Sequence, residues 1–242
     1  MVLYILIIAH LLADFTFQST ALADKKKEKF VYLIAHSIIY AATFAIACFT
    51  LIEFKNVIWF YIIIIFSHFL IDWVRIIIDC KFKKKSVVLA SFLIDQALHI
   101  AIIIASYYLF GLSIKTTCVY AFFQKREHFR ALVVYMLVFV IIWDPTAVLI
   151  KKVFAYIIGD CDAQNKDDNP KIGSIIGKLE RVIISTLVLC GQLGAIGFVL
   201  TAKSIARYKQ LEDQNFAEKY LVGTLASTSV SVITAILLKS LL

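Results

Sequence analysis

The sequence predicts an all-α fold, a polytopic transmembrane helical bundle, and three observations carry that prediction. Seven apolar runs, near residues 1–18, 30–52, 56–79, 86–112, 131–157, 173–202 and 219–242, can each cross a hydrocarbon core of about 30 Å, which takes roughly 20 helical residues. Mean hydropathy is +0.86 and 61% of residues are hydrophobic, which no soluble globular class matches. Only 2 prolines and 8 glycines interrupt the 242 residues, and a continuous apolar backbone in lipid must satisfy its own polar groups as helix.

The first run begins at Met1 with neither a basic leader nor a small-residue cleavage site, so it is expected to stay in the mature protein as a helix. Being short and polar at its end, it is expected to tilt or to be partly sheltered. The loop after it carries Lys25, Lys26, Lys27 and Lys29, and the loop after the third run carries Lys81, Lys83, Lys84 and Lys85, whereas the loop between holds only Lys55. The excess of positive charge on the cytoplasmic side places both lysine loops there, the N-terminus outside and, after seven helices, the C-terminus inside. Lys115, Lys125, Arg126 and Arg130, and the stretch Lys203 to Lys209, run against this orientation. Residues 113–130 (SIKTTCVYAFFQKREHFR) mix aromatics with charge and read as an interfacial amphipathic helix, with His128 structural. Asp144-Pro145 marks an expected kink in the fifth run. Residues 159–170 (GDCDAQNKDDNP) are hydrophilic; Asp160, Asp162, Asp167 and Asp168 lack the glycine and closing glutamate of a calcium loop and read as solvated. The expected organisation is a four-helix His/Asp-bearing membrane module over 1–112, the amphipathic segment 113–130, and a three-helix membrane module over 131–242.

The formal charge of +8 sits in short clusters between apolar runs. That pattern excludes a nucleic-acid partner and points to topology signals and membrane lipids. Cys48, Cys80, Cys118, Cys161 and Cys190 are dispersed, with no CxxC pair, and read as small buried hydrophobes.

The chemistry lies in the first four runs. They contain His10-Leu-Leu-Ala-Asp14, then His36, then His68-Phe-Leu-Ile-Asp72, then Asp95-Gln-Ala-Leu-His99. Residues four apart share a helix face, so each pair points two ligating groups the same way. Counting at 1.5 Å per residue from the lysine loops puts these residues in one layer, roughly 10–15 Å or a turn more inward. Ionisable groups at that depth cost several kcal/mol each unless paired, ligated or hydrated. A divalent transition-metal centre explains the set: imidazole with carboxylate suits Zn first, and also Mn, Fe or Co. His10, Asp14, His36, His68, Asp72, Asp95 and His99 are the expected ligands of one or two ions or the residues supporting them, with Gln18 and Gln96 orienting ligands or substrate. A proton or ion relay uses the same residue types.

A second polar group comprises Glu180-Arg181, Lys203, Arg207 and Glu218. Adjacent residues do not face each other on a helix, so at least one of Glu180 and Arg181 needs a partner elsewhere. Lys203, Arg207 and Arg181 are candidate anion or lipid-headgroup contacts.

At His10-Leu-Leu-Ala-Asp14-Phe-Thr-Phe-Gln18, His36, His68-Phe-Leu-Ile-Asp72 and Asp95-Gln96-Ala-Leu-His99, the sequence resembles the bacterial membrane family catalogued as domain of unknown function 3307. Such members show HLLADFxxQ, a following histidine, an HxxxD helix and a DQxxH helix. Gly177-Lys-Leu-Glu180-Arg181, Ala-Lys203-Ser204-Ile-Ala-Arg207 and Ala-Glu218-Lys-Tyr-Leu-Val-Gly223-Thr look like the C-terminal extension of longer members. The resemblance implies a bacterial cytoplasmic membrane and supplies no reaction. In style of site, the pattern is also similar to membrane-bound metal-dependent hydrolases and ceramidase-like membrane hydrolases, whose full histidine motifs are not reproduced.

The expected function is therefore a membrane-embedded metal-dependent hydrolase acting on a lipid-like substrate, with Asp14, Asp72 or Asp95 as general base. The alternatives are a divalent-metal or proton transporter or channel built on the same cluster, and a sensor or partner-binding protein with a structural metal. The apolar outer halves, as in Ile62–Ile65 and Ile100–Ile104, favour the enzyme over a pathway open to both faces.

Overall fold

The computed structural model describes residues 1–112, 116–157 and 170–242, so Asp160, Asp162, Asp167 and Asp168 of the hydrophilic loop lie outside the described residues. The described chain is all-α. Its helices are α1 (Val2–Leu11), α2 (Thr20–Lys25), α3 (Phe30–Leu51), α4 (Phe54–Lys81), α5 (Lys85–Leu109), α6 (Cys118–Gln124), α7 (Phe129–Ile157), α8 (Pro170–Leu189), α9 (Leu193–Ala206) and α10 (Gln214–Lys239). Five stretches are long and apolar enough to cross a membrane: Phe30–Leu51, Val57–Lys81, Lys85–Leu109, Phe129–Ile157 and Gln214–Lys239. The chain forms two compact units, Met1–Leu137 and Val138–Leu242, and the division falls within α7.

In the first unit, helix period decides what is buried. On α3 the inward residues are Leu33, His36, Tyr40, Phe44 and Cys48, and on α5 they are Phe92, Asp95, His99, Ile103 and then the adjacent Ser106 and Tyr107, otherwise in steps of three or four residues. On α4, Val57, Phe60, Ile64, His68 and Asp72 follow the same rule. Large apolar side chains such as Val31, Ile38, Ile46, Trp59 and Phe66 face outward, as a lipid solvent permits. The inward stripe is apolar along one part of each helix, where Phe44, Cys48, Phe60, Ile64 and Ile103 join one core with Leu6 of α1, and polar along the other. Helix α1 packs on α3 and α5, with Leu6 and Ala13 fully enclosed. Enclosure by other helices explains how so short a first run is tolerated. In the segment expected to be amphipathic, α6 buries Tyr120 edge-on against Phe129 at 5.9 Å while Val119, Phe122 and Phe123 stay exposed.

The run 173–202, read above as one helix, is two. Helix α8 ends where Gly191 takes φ +76°, a conformation costly to any residue with a Cβ. The amide of Gln192 donates to the carbonyl of Leu187 at 2.8 Å and that of Gly191 to Val188 at 3.0 Å, the paired closure of a Schellman motif. Hydropathy alone concealed this stop, because Cys190 and Leu193 on either side are apolar.

In the second unit, Pro145 lies inside the continuous helix α7, and the donor it lacks is compensated. Proline has no N–H, so the carbonyl of Ile141 loses its helical donor; the Thr146 hydroxyl donates to it at 2.7 Å. The Arg181 guanidinium, almost fully buried, donates to the carbonyls of Ile142 at 2.6 Å and Trp143 at 3.0 Å. Asp144 pairs with Lys178, and Glu180 with Lys203. Thr146→Val should therefore lower stability by about 1 kcal/mol. In the Pro145→Ala background, where the backbone donor returns, the same change should cost less; a double-mutant cycle from unfolding midpoints in detergent checks this.

Candidate metal centre

The site begins with a widened turn. After α1 the chain makes a π-helical turn over Leu12–Thr16, closed by the Phe17 amide donating to the Leu12 carbonyl at 2.8 Å. Such turns are inserted where a side chain must be re-aimed, frequently at functional sites. Here the turn carries Asp14, which reaches partners that His10, four residues earlier, does not. Asp14 Oδ1 lies 3.2 Å from His36 Nε2 and 3.7 Å from His68 Nε2, and His36 Nε2 is also 3.3 Å from Asp72 Oδ2. One potential ligand atom from each of Asp14, His36, His68 and Asp72 falls within 4.8 Å of all the others. Metal–ligand bonds of roughly 2.1 Å set neighbouring tetrahedral ligands about 3.4 Å apart, so small side-chain movements close this set around one ion.

The remaining atoms show what the protein has already satisfied. The Gln96 amide N–H donates to Asp14 Oδ2 at 2.6 Å and to Asp95 Oδ2 at 3.1 Å, so its oxygen faces His10 Nε2 at 3.3 Å. That orientation assigns the proton of His10 to Nε2 and leaves Nδ1 to accept from the Tyr40 hydroxyl at 3.1 Å. The ring of Tyr40 stacks on His68 with centroids 3.5 Å apart, and His68 stacks on His99 at 4.5 Å. Lys26 Nζ donates to Asp72 Oδ2 and Arg75 Nη1 to Asp95 Oδ2, both at 2.8 Å. Gln18, in the amide orientation that satisfies both its ends, donates to the Asp14 carbonyl at 2.8 Å and accepts from Lys26 at 3.1 Å.

Against this background the unsatisfied atoms stand together. The buried atoms without a hydrogen-bond partner include both ring nitrogens of His36 and His68, Asp72 Oδ1, Asp95 Oδ1 and His99 Nε2. His36 is 0% exposed, His68 and Asp72 1%, Asp95 2% and His99 3%, so all five are enclosed by protein. A buried polar group without a partner costs on the order of 1–3 kcal/mol, and more when charged. Atoms so placed could donate lone pairs to one bound cation.

A profile of the family described as a protein of unknown function (DUF3307) matches residues 2–130. That is more than half of the chain and includes every residue of the layer. The chain belongs to the DUF3307 family. No curated protein and no solved structure matches it. In this DUF3307 member, the family match thus covers the HLLADFxxQ, HxxxD and DQxxH residues described above and ends where α7 begins.

Most of the residues singled out from sequence come together, in different roles. His10 lies in the layer, but Tyr40 and Gln96 take its two nitrogens, so it braces the site and does not ligate in this geometry. Arg181 and Lys203 belong to the second unit, and protein groups take their donors: backbone carbonyls for Arg181, and Glu180 with Thr224 for Lys203. That leaves no donor fork for an anion at Arg181. Arg207, half-buried, follows the last turn of α9. Three members of the site were missed: Tyr40, Arg75 and Lys26. Tyr40 stands one turn from His36, and Arg75 three residues from Asp72 inside a span, both readable signals. Lys26 carried none, for Lys25, Lys27 and Lys29 are exposed and it alone is buried. Lys26→Met should strand the Asp72 charge and destabilise the protein by about 3–5 kcal/mol. Asp72→Asn added to that variant should recover part of the loss, read from unfolding in detergent.

Proposed function

We propose that the layer is the metal centre of a membrane-embedded hydrolase that acts on a lipid-like substrate. The observation that carries the reading is the convergence of Asp14, His36, His68 and Asp72 from three separate segments, with buried imidazole nitrogens and a carboxylate oxygen left unpartnered. Two imidazoles and two carboxylates suit Zn, Mn, Fe or Co. The chemistry such an ion supplies is Lewis acidity toward water and toward a carbonyl or phosphoryl oxygen. The chain's own part is to hold the geometry. Tyr40 fixes the plane of His68, and Gln96 ties Asp14 to Asp95. Lys26 and Arg75 lower the cost of burying two carboxylates, and an aspartate of the layer accepts the proton of the attacking water. The setting proposed is a bacterial cytoplasmic membrane with the lysine loops inside.

One observation favours a second reading, transport of a divalent cation or proton. Lys26 holds Asp72 by the oxygen that faces His36, as an internal cation exchanging with a transported one would.

Elemental analysis of detergent-purified protein incubated with Zn, Mn, Fe and Co is expected to find tightly held transition metal, lost in His36→Ala and in His68→Ala. Wild-type protein that stays metal-free would remove the hydrolase reading. Hydrolysis of lipid esters or phosphoesters by the loaded protein in micelles separates the enzyme from a transporter, which would instead give metal uptake into proteoliposomes without turnover.

A further inference from the structure

We propose that Asp72, Asp95 and His99 form a second divalent-metal position sharing Asp72 with the first, so that the centre is dinuclear and selects an anionic substrate. The inference rests on the metal reading above and extends it. One ligand atom from each of the three residues lies within 4.8 Å of the other two. Each residue is at least nine-tenths buried, and each keeps one atom with no hydrogen-bond partner: Asp72 Oδ1, Asp95 Oδ1 and His99 Nε2. The obvious alternative, a hydrogen bond between His99 and Asp95 one turn apart, is not made; their nearest atoms are 3.5 Å apart.

The opposite oxygens explain how this comes about. Lys26 takes Asp72 Oδ2 and Arg75 takes Asp95 Oδ2, so each carboxylate is neutralised on one side and bare on the other. Of the bare oxygens, Asp95 Oδ1 faces His99 Nε2 at 3.5 Å. Asp72 thereby has one oxygen beside His36 and the other unpartnered, the disposition of a bridging carboxylate. Paired metal sites hold their ions roughly 3.5–4 Å apart, a spacing one carboxylate spans. Three protein ligands also leave the second position open to a small molecule, as catalytic sites require.

Charge then defines the substrate class. Four carboxylates, those of Asp14, Asp72, Asp79 and Asp95, face Lys26 and Arg75 already, so two dications leave the layer with excess positive charge. In a low dielectric that excess must be met by an anion. A phosphoryl group of a lipid-like molecule places oxygens on both ions and supplies the charge, and a neutral ester does not.

The test loads the full-length protein in detergent with Mn2+ and combines metal content with electron paramagnetic resonance. Two equivalents with an exchange-coupled spectrum are expected for wild type. Asp95→Asn and His99→Ala should each hold one equivalent with an uncoupled six-line signal. Addition of inorganic phosphate should perturb the coupled spectrum. One equivalent in wild type, uncoupled and unchanged in both variants, would overturn the second position and leave the first standing. No bound metal at all would overturn both. The wild-type spectrum decides the matter even if a variant fails to fold.

Discussion

Carboxylates buried among apolar helices are expensive to ionise, and the first unit is arranged around meeting that expense at Asp72 and Asp95. Each is held by one long cationic side chain, Lys26 from beyond α2 and Arg75 from α4. Pairing of this kind contributes little net stability over an apolar core but fixes register, since a slip of one residue on α4 or α5 would strand a charge. The same pairing keeps α4 against α5 in the polar half, where Ser91 also donates to Asp79. What distinguishes these pairs from ordinary structural salt bridges is that each satisfies only one oxygen. The unspent lone pairs collect in one layer with those of His36, His68 and His99.

The second unit handles polar burial in the opposite manner. Asp144 and Lys178, Glu180 and Lys203, and Arg181 with the Ile142 and Trp143 carbonyls form complete pairs, with Glu180 Oε1 and Thr228 Oγ1 the exceptions among the described residues. Helices α8 and α10 run in the same direction, with Arg181 meeting Ser227 and Ser185 meeting the Ser231 carbonyl, and small hydroxyl residues allow the close approach. Gly223 shows the same need for thin surfaces: a Cβ there would sit 2.8 Å from the Phe154 ring. These groups read as packing and as partners for the carbonyls around Pro145.

The sequence was legible where a single period governed burial. Most of the helical runs and the inward placement of His36, His68, Asp72, Asp95 and His99 follow from spacing of residues on one helix. It was less legible where the outcome depended on an irregular turn. The π-helical turn at Asp14 and the left-handed Gly191 each change direction within an apolar run, and hydropathy averages across both. The role of Lys26 was hidden for a different reason: in a row of lysines, only tertiary packing chooses which one turns inward. His10 shows the converse, a residue whose pattern announced a ligand but whose nitrogens two neighbours had already claimed.

The glycine stop after α8 has a consequence for the lipid. Helix α9 runs only from Leu193 to Ala206, and at 1.5 Å per residue its 14 residues extend about 21 Å, well short of the roughly 30 Å of a hydrocarbon core. Its outward side chains, among them Leu193, Phe198 and Ile205, are apolar all the same. A helix of that length would reach across the core only where the two leaflets were drawn together, since hydrophobic mismatch is relieved by thinning the bilayer at a fraction of a kcal/mol per ångström.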